Sequence, residues 1–295
     1  MADPFHAGTV AIVGRPNVGK STLLNRLVGA KISIVSARAQ TTRARITGIL
    51  TRPSVQLVFV DTPGFQREHS GALHQMMNRS VRSTLGEVDV VLAVYEALRY
   101  GAADEAVTAL LPRDRPVLAV INKTDRAKDK RSVLPYLANL AQAFPFRELV
   151  PVSATRGDQV EDLIAATAQL LPVQPALYGE DEITLASERF LAAEMVREKL
   201  FRALGDELPY KLAVEIEAFK QEGQLRRINA AIVVDKDSQK PIVIGKGGER
   251  LKAIGTAARR DMEKLFGGKV HLELWVRIRS GWADDARALA RFGYE

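Results

Sequence analysis

One eight-residue stretch constrains the fold of this chain more than any other. The residues GRPNVGKS at 14–21 fit the pattern G-x-x-x-x-G-K-[ST], directly after the apolar run VAIV at 10–13 and before a helix-length segment. Gly14 and Gly19 allow the backbone to wrap so that its amides point inward, and the N-terminal end of the following helix adds partial positive charge. The stretch therefore predicts a polyphosphate site with Lys20 between the β- and γ-phosphates, and by itself it leaves ATP and GTP open.

Short apolar runs recur through the first half and are typical of buried strands. These runs are VAIV at 10–13, LVFV at 57–60, VVLAV at 90–94, VLAVI at 117–121 and LVPV at 149–152. Helix-length stretches separate most of them, which predicts an α/β fold of the P-loop NTPase class, with a doubly wound, mostly parallel sheet. The run ITGIL at 46–50 is expected to pair with the next strand as an antiparallel edge.

At 295 residues the chain is long enough for two domains. The stretch LPVQPALYGEDE, with two prolines, a glycine and an acidic cluster, reads as a connection between them. We place a first domain at residues 1–175, a linker at 176–186 and a second domain at 187–295. The second half reads as helix, strand, strand, glycine loop, helix, strand and helix, which predicts an α+β domain.

Composition narrows the functional classes. The chain has no cysteine, which excludes a disulfide scaffold and a thiolate nucleophile and fits a reducing, cytoplasmic location. No apolar run approaches the roughly 20 residues that span a bilayer. The net charge is +7, and residues 240–279 hold ten Lys or Arg against four Asp or Glu. This local excess favours a polyanionic partner for the second half.

Three further turns follow predicted strands and extend the nucleotide site predicted from GRPNVGKS. Asp61-Thr62-Pro63-Gly64 puts a carboxylate where it can hold a magnesium water, with Ser21 as a direct magnesium ligand. The turn NKTD at 122–125 supplies Asp125, whose carboxylate accepts the two donors that guanine offers on one edge and adenine lacks. This turn argues against an ATP-using kinase. At Ser153-Ala154, a backbone amide is expected to donate to the guanine oxygen.

With these turns in view, the first half resembles translation-factor-class GTPases, and AQTTRARITGI at 39–49 with DTPGF at 61–65 is similar to the Era family. The resemblance implies that Thr42 joins Ser21 on Mg²⁺ when GTP is bound, whereas the residues alone leave Thr41 and Thr42 equal. The predicted catalytic residues are Lys20, Thr42 and Asn17, and the predicted metal ligands are Ser21 and Thr42. The residues predicted to bind the nucleotide are Gly14, Arg15, Pro16, Asn17, Val18, Gly19, Lys20, Ser21, Thr22, Asp61, Thr62, Pro63, Gly64, Asn122, Lys123, Asp125, Ser153 and Ala154.

The residue after DTPG bears on catalysis. Ras-like enzymes place a glutamine there to orient the attacking water, but this chain has Phe65, which cannot hydrogen-bond water. The Era family, which this chain resembles, has the same hydrophobic replacement. Catalysis then depends on phosphate positioning and on charge neutralisation by Lys20, magnesium and the loop amides, and we expect slow turnover. The resemblance also implies that Asn17 helps bind K⁺. A role in shaping the loop explains Asn17 equally well.

The second half carries a separate signal. Gly245-Lys246-Gly247-Gly248 lies between the apolar run PIVI, interpreted as a strand, and a helix, and it fits the GxxG loop with which KH domains clamp about four nucleotides of single-stranded nucleic acid. The order of elements resembles the type II KH arrangement. Trp275 lies in an alternating strand and is expected to belong to the core rather than to stack on a base.

The resemblance to the Era family covers nearly the whole chain and implies its partners. It implies a GTP-dependent switch that binds single-stranded RNA at the 3′ region of 16S rRNA and acts in 30S subunit assembly, with peripheral association at the inner face of the membrane and no DNA partner. A second hypothesis remains open, in which the second half of a GTP-regulated scaffold binds protein rather than RNA. The basic GKGG loop favours RNA.

Overall fold

The computed structural model of this chain describes residues 4–36, 41–65, 71–127, 129–205 and 208–294. These residues divide into two compact units, and the main boundary between them falls between Leu185 and Ala186. In the described part of the chain, no helix combines the length and the apolar character needed to cross a bilayer.

The first unit is built on a sheet of six strands. The strands are β1 (His6–Val13), β2 (Ile46–Arg52), β3 (Val55–Asp61), β4 (Val90–Glu96), β5 (Val117–Asn122) and β6 (Glu148–Pro151). Their order in the sheet is β2-β3-β1-β4-β5-β6. All neighbouring pairs are parallel except β2 and β3, so the predicted doubly wound, mostly parallel sheet and its antiparallel edge are confirmed.

Helices connect the strands and cover the sheet. They are α1 (Lys20–Val28), α2 (Ala72–Glu87), α3 (Ala102–Thr108), α4 (Val133–Ala143) and α5 (Val160–Ala168). The central strands are buried along nearly their whole length because helices pack on the sheet, which explains why they read as unbroken apolar runs. Parallel strands bring their carboxyl ends to one edge of the sheet, and the predicted turns follow those ends.

The segment predicted as a linker is hydrogen bonded to the first unit. The buried side chain of Gln56 accepts from the amides of Leu177 and Tyr178, at 2.7 and 2.9 Å, and donates to the Tyr178 carbonyl. Further along, the Ile49 amide of β2 donates to the Ile183 carbonyl at 2.9 Å. These residues therefore cover the outer edge of β2, and the compact unit extends to Leu185 for this reason.

The second unit is an α+β domain on a three-stranded sheet. It contains α6 (Glu188–Ala203), β7 (Leu212–Glu222), β8 (Leu225–Val234), α7 (Lys240–Ile244), α8 (Glu249–Phe266), β9 (Lys269–Ile278) and α9 (Ala286–Arg291). The sheet order is β7-β8-β9, with β7 antiparallel and β9 parallel to β8. Apolar residues of α6 and α8 pack against one face of this sheet and form its core.

The interpretation of PIVI as a strand is wrong, because Lys240–Ile244 is the short helix α7. Pro241 lies in its first turn, where the missing N–H costs nothing, whereas proline inside a strand would remove a ladder hydrogen bond. Gly245, with φ of 76°, ends the helix. A four-residue apolar run fits a buried helical turn as well as a strand, so periodicity alone did not separate the two.

Candidate functional site

The phosphate loop connects β1 to α1 and depends on its two glycines. A Cβ on Gly14 would lie 2.6 Å from the Val94 carbonyl oxygen of β4. Gly19 has a φ of 101°, and a Cβ there would lie 2.3 Å from the side-chain nitrogen of Asn122. Both positions exclude any larger residue, so the loop packs directly on the ends of β4 and β5.

Lys20 occupies the interior of this loop. Its ammonium donates to the carbonyls of Gly14 and Arg15, at 3.0 and 3.2 Å. Burial lowers the pKa of Lys20 to about 8, opposed by the charge of Asp61 and assisted by that of Arg15. A buried cation surrounded only by carbonyl oxygens and one carboxylate is well placed to receive a polyphosphate, whose negative charge would favour the protonated form.

Four oxygen-bearing side chains meet beside Lys20. The Ser21 hydroxyl lies 2.7 Å from the Thr42 hydroxyl and donates to Asp61 Oδ2 at 2.8 Å, and Ser33 donates to the same oxygen. Asp61 is fully buried, and its Oδ1 has no hydrogen-bond partner. Burial raises the pKa of Asp61, against the opposing effect of Lys20.

This cluster fits a magnesium ion. Magnesium prefers oxygen ligands and keeps several of its waters, so two hydroxyls and a carboxylate with an orphaned buried oxygen supply suitable donors. The threonine beside Ser21 is Thr42 rather than Thr41, a choice that the residues alone left open. The neighbouring Ala39 and Gln40 of the quoted AQTT stretch lie outside the described residues.

The DTPG turn lies against the phosphate loop. Thr62 donates from its hydroxyl to the Ile12 carbonyl, and a Cβ on Gly64 would lie within 2.9 Å of Pro16 backbone atoms. The Phe65 amide donates to the Gly14 carbonyl at 3.4 Å, but its ring is buried in the core of the first unit, among residues such as Val13. The ring cannot orient a water molecule.

The NKTD turn holds neighbouring loops together through Asn122. Its side-chain nitrogen donates to the Val18 carbonyl at 2.8 Å, and its Oδ1 accepts from the amides of Lys123 and Ala154, at 2.8 and 3.0 Å. The Ala154 amide, expected to donate to guanine, donates to Asn122 in this structure. Asn122 therefore acts on the nucleotide site by fixing its loops.

Asp125, the residue predicted to select guanine, is anchored from the next strand. The Ser153 hydroxyl donates to Asp125 Oδ1 at 2.6 Å and also accepts from the Arg156 amide. Because β5 and β6 are parallel neighbours, both turns end at the same edge as the phosphate loop. The predicted groups for phosphate, metal and base thus converge, as the strand order requires.

Two carboxylates of this region were missed by sequence reasoning. Glu96 ends β4, and Asp104 lies in α3; both are buried and form ion pairs with Arg15 of the phosphate loop. The Arg15 side chain therefore points to these carboxylates, while its carbonyl accepts from Lys20. One signal was available, since a charged residue at the end of the apolar run VVLAVYE lies at the edge where sites form.

A second site lies in the other unit, at the GKGG turn. Gly245, Gly247 and Gly248 have φ values of 76°, 58° and 81°, which disfavour other residues. The two terminal glycines differ in their surroundings: a Cβ on Gly245 would lie 2.7 Å from Arg250 Cβ, whereas the space around Gly248 is open. Lys246 is exposed.

The turn opens onto a groove between α8 and β9, with a volume of about 330 Å³. It is lined by Gly248, Leu251, Lys252, Gly255, Thr256, Arg259, Leu272 and Leu274. Its floor is aliphatic and Lys252 and Arg259 supply positive charge, which suits an unpaired base and its phosphate. Trp275 is half-buried and, by strand alternation, lies on the sheet face opposite Leu272 and Leu274, so it does not stack in this groove. It also lies outside the core that α6 and α8 form with the other face of the sheet, so the prediction that it belongs to the core is wrong.

The first unit thus defines a P-loop guanine nucleotide-binding protein, and the second adds a KH domain with an open groove. Family models match accordingly: residues 9–123 match the 50S ribosome-binding GTPase family and residues 207–283 match the KH domain family. The chain is 56% identical over 292 residues to GTPase Era of Chromobacterium violaceum and 55% identical over 294 to GTPase Era of Nitrosomonas eutropha, with at least 99% of each chain covered. The chain belongs to the GTPase Era family, whose members hydrolyse GTP.

Solved structures agree with this assignment. A single-residue variant of Aquifex aeolicus Era bound to GDP·AlF4⁻ superposes with a TM-score of 0.95 at 38% identity. Era in complex with MgGDPNP and nucleotides 1506–1542 of 16S ribosomal RNA gives a TM-score of 0.95 at 39% identity. Each comparison covers 98% of this chain and 99% of the other.

Proposed function

We propose that this GTPase binds magnesium and guanine nucleotide at the carboxyl edge of its six-stranded sheet. The observation that carries the proposal is that Lys20, held by the Gly14 carbonyl, lies beside the hydrogen-bonded pair of Ser21 and Asp61, with Asp125 at the same edge of the sheet. The loop amides between Gly14 and Thr22 would bind phosphate, and Asp125 would accept the two guanine donors.

Hydrolysis would proceed without a water-orienting side chain from the DTPG turn. Lys20 neutralises developing charge on the phosphates, and Ser21 and Thr42 hold the metal, which supplies further charge neutralisation when bound. The buried Phe65 ring leaves the attacking water to be positioned by other groups, so turnover is slow. The γ-phosphate would order the residues around Thr42 and Asp61 and release them after hydrolysis.

A potassium ion at Asn17 belongs to this proposal. The backbone of Asn17 has a φ of 65° and its carbonyl accepts from Lys123, which supports a role in shaping the loop, while the residue is exposed and able to meet an ion. Hydrolysis measured in potassium and in sodium separates the two roles. Equal rates would remove the potassium site.

In the second unit, we propose that the groove beside Gly248 binds single-stranded RNA. Its aliphatic floor, cationic rim and exposed Lys246 support this choice over a protein partner. The Era complex with nucleotides 1506–1542 of 16S ribosomal RNA supports the 3′ region of 16S rRNA as the target. We therefore propose the 30S subunit as the partner, although the family model that matches the first unit is named after the 50S subunit. We further propose a cytoplasmic protein that associates peripherally with the membrane. Its GTPase domain would comprise residues 1–175 and its KH domain residues 187–295, with 176–186 as a connecting segment that is hydrogen bonded to the first unit.

The RNA proposal is tested with a matched pair of glycine substitutions. Gly247→Asp adds a negative charge at the turn, and Gly223→Asp adds the same charge at a hairpin with a similar φ of 61° and equally open space. RNA binding should be lost only in the first variant, with GDP affinity unchanged in both. Unchanged RNA affinity in Gly247→Asp would favour a scaffold that binds protein. Crosslinking in the presence of a non-hydrolysable GTP analogue, followed by sequencing, identifies the RNA.

Guanine selection is tested separately. Asp125→Asn replaces an acceptor by a donor, so the preferred nucleotide should change from GTP to xanthosine triphosphate, which offers an oxygen where guanine has its amine. Competition binding of the two nucleotides measures this preference. Retained preference for GTP would contradict the role of Asp125.

A further inference from the structure

Glu96, a buried carboxylate at the end of β4, forms ion pairs with cationic side chains from several loops near the nucleotide site. Glu96 Oε2 lies 3.0 Å from the Lys123 ammonium and 3.3 Å from the Arg15 guanidinium. Glu96 Oε1 faces Arg99 and Arg126, at 3.7 and 3.9 Å. The Glu96 side chain is 7% exposed, and Arg15 and Lys123 are mostly buried, so these two pairs are largely shielded from water, whereas Arg99 and Arg126 are exposed. Burial works against ionisation, but Lys123, Arg15 and Arg99 together lower the pKa of Glu96.

A second buried carboxylate completes the arrangement. Arg15 Nε donates to both oxygens of Asp104, at 3.0 and 3.1 Å, and Asp104 is 3% exposed. Asp104 also accepts from the Gly101 amide, which fixes it at the start of α3. Arg15 is thus held by two carboxylates from two different elements, on the outer side of the phosphate loop.

The network ends on the backbone of the loop. Lys123, which pairs with Glu96, donates to the Asn17 carbonyl at 2.5 Å. Asn17 and Lys123 both have left-handed backbones, with φ values of 65° and 66°. Such conformations cost about 1 kcal/mol or more and persist where neighbouring contacts over-determine them. The Lys123 ammonium supplies such a contact for both residues, because it pairs with Glu96 and donates to the Asn17 carbonyl.

We propose that Glu96 and Asp104 are positioning residues, which hold the phosphate loop through Arg15 and Lys123 and thereby slow the release of guanine nucleotide. The inference rests on the proposed nucleotide site. A loop held in its binding conformation loses less entropy when phosphate binds, so loosening it accelerates dissociation. Both carboxylates are paired with cations of the loops. A direct charge effect on the nucleotide would have the opposite sign, since removing a negative charge near a polyphosphate strengthens binding.

The test measures the dissociation rate of a fluorescent GDP from the full chain. Glu96→Gln and Asp104→Asn keep shape and remove charge, and each should release GDP about tenfold faster, equivalent to about 1.4 kcal/mol. Arg15→Met should release GDP at least as fast as Asp104→Asn, because it breaks the Asp104 contact and the Glu96 contact of Arg15 as well. Adding Asp104→Asn to Arg15→Met should change the rate little, because the Arg15–Asp104 contact is already lost. In Glu96→Gln and Asp104→Asn, the kcat at saturating GTP should stay within about twofold, because only uniform binding is weakened.

Glu105→Gln is the matched control, because Glu105 adjoins Asp104 on α3 and is exposed. It should release GDP at the wild-type rate. Unchanged or slower release in Glu96→Gln and Asp104→Asn would overturn the inference. Should Asp104→Asn fail to fold, Arg15→Met tests the same contact from its partly exposed partner. If wild-type protein did not bind GDP, the nucleotide site itself would be wrong.

Discussion

Replacing Asn122 by alanine tests how strongly the nucleotide site depends on its supporting hydrogen bonds. The side chain is 2% exposed and makes three hydrogen bonds, to the Val18 carbonyl and the amides of Lys123 and Ala154. At about 1 kcal/mol each, their removal costs about 3 kcal/mol. Without nucleotide, the loops can relax and form hydrogen bonds with water, which recovers part of these ~3 kcal/mol. The part that is not recovered appears as weaker nucleotide binding.

We expect GDP affinity to fall at least tenfold in Asn122→Ala, measured by isothermal titration calorimetry, with a lower melting temperature. Asn139→Ala is the matched control because Asn139 is exposed on α4, and it should leave both quantities unchanged. Asn122→Asp should also bind GDP poorly, since its carboxylate would face the Val18 carbonyl that the amide now donates to. GDP affinity within twofold of wild type in Asn122→Ala would refute the supporting role.

Three further predictions concern other parts of the molecule. Phe65→Gln should destabilise the fold by about 3 kcal/mol without raising kcat, because the side chain lies in the core and not beside the phosphates; denaturant unfolding and GTPase assays check this. Gly255→Val should weaken RNA binding at least tenfold, since a Cβ there already lies 3.3 Å from Leu274, whereas Gly86→Val, in open space on another helix, should not. GDP binding at pH 8.5 should take up protons, because burial lowers the pKa of Lys20 to about 8 and a bound phosphate raises it again. Calorimetry in buffers of different ionisation enthalpy measures this uptake, which should shrink towards pH 7 because Lys20 is then already protonated.

Local chemistry explains why so much of the nucleotide site could be predicted from the sequence. Gly14 and Gly19 are required by contacts within a few ångströms, and three of the four turns follow buried strands that appear in the sequence as unbroken apolar runs. The carboxyl ends of parallel strands lie at one edge of a sheet. The turns that follow those ends therefore lie close together once the strands are assigned to one parallel sheet. The resemblance to the Era family then selected Thr42, which the structure places beside Ser21.

Local patterns failed where a short segment fits two structures. PIVI has no periodicity that separates a strand from a helix, and the short α3 gave no recognised signal. The roles of the terminal glycines of GKGG also differ in a way that the repeated letter hides, since Gly245 packs on Arg250 and Gly248 borders the groove.

The sequence by itself determined the two folds, the turns that bear the chemistry and the preference for guanine, because these depend on residue type and on spacing along the chain. Only the tertiary structure decided which buried polar atoms meet. Arg15 finds Asp104 89 residues away and Glu96 81 residues away, and Asn122 reaches Val18 across 104. No propensity or period encodes such pairings. They follow from the order of strands in the sheet and from the need to satisfy charges and amides that folding removes from water.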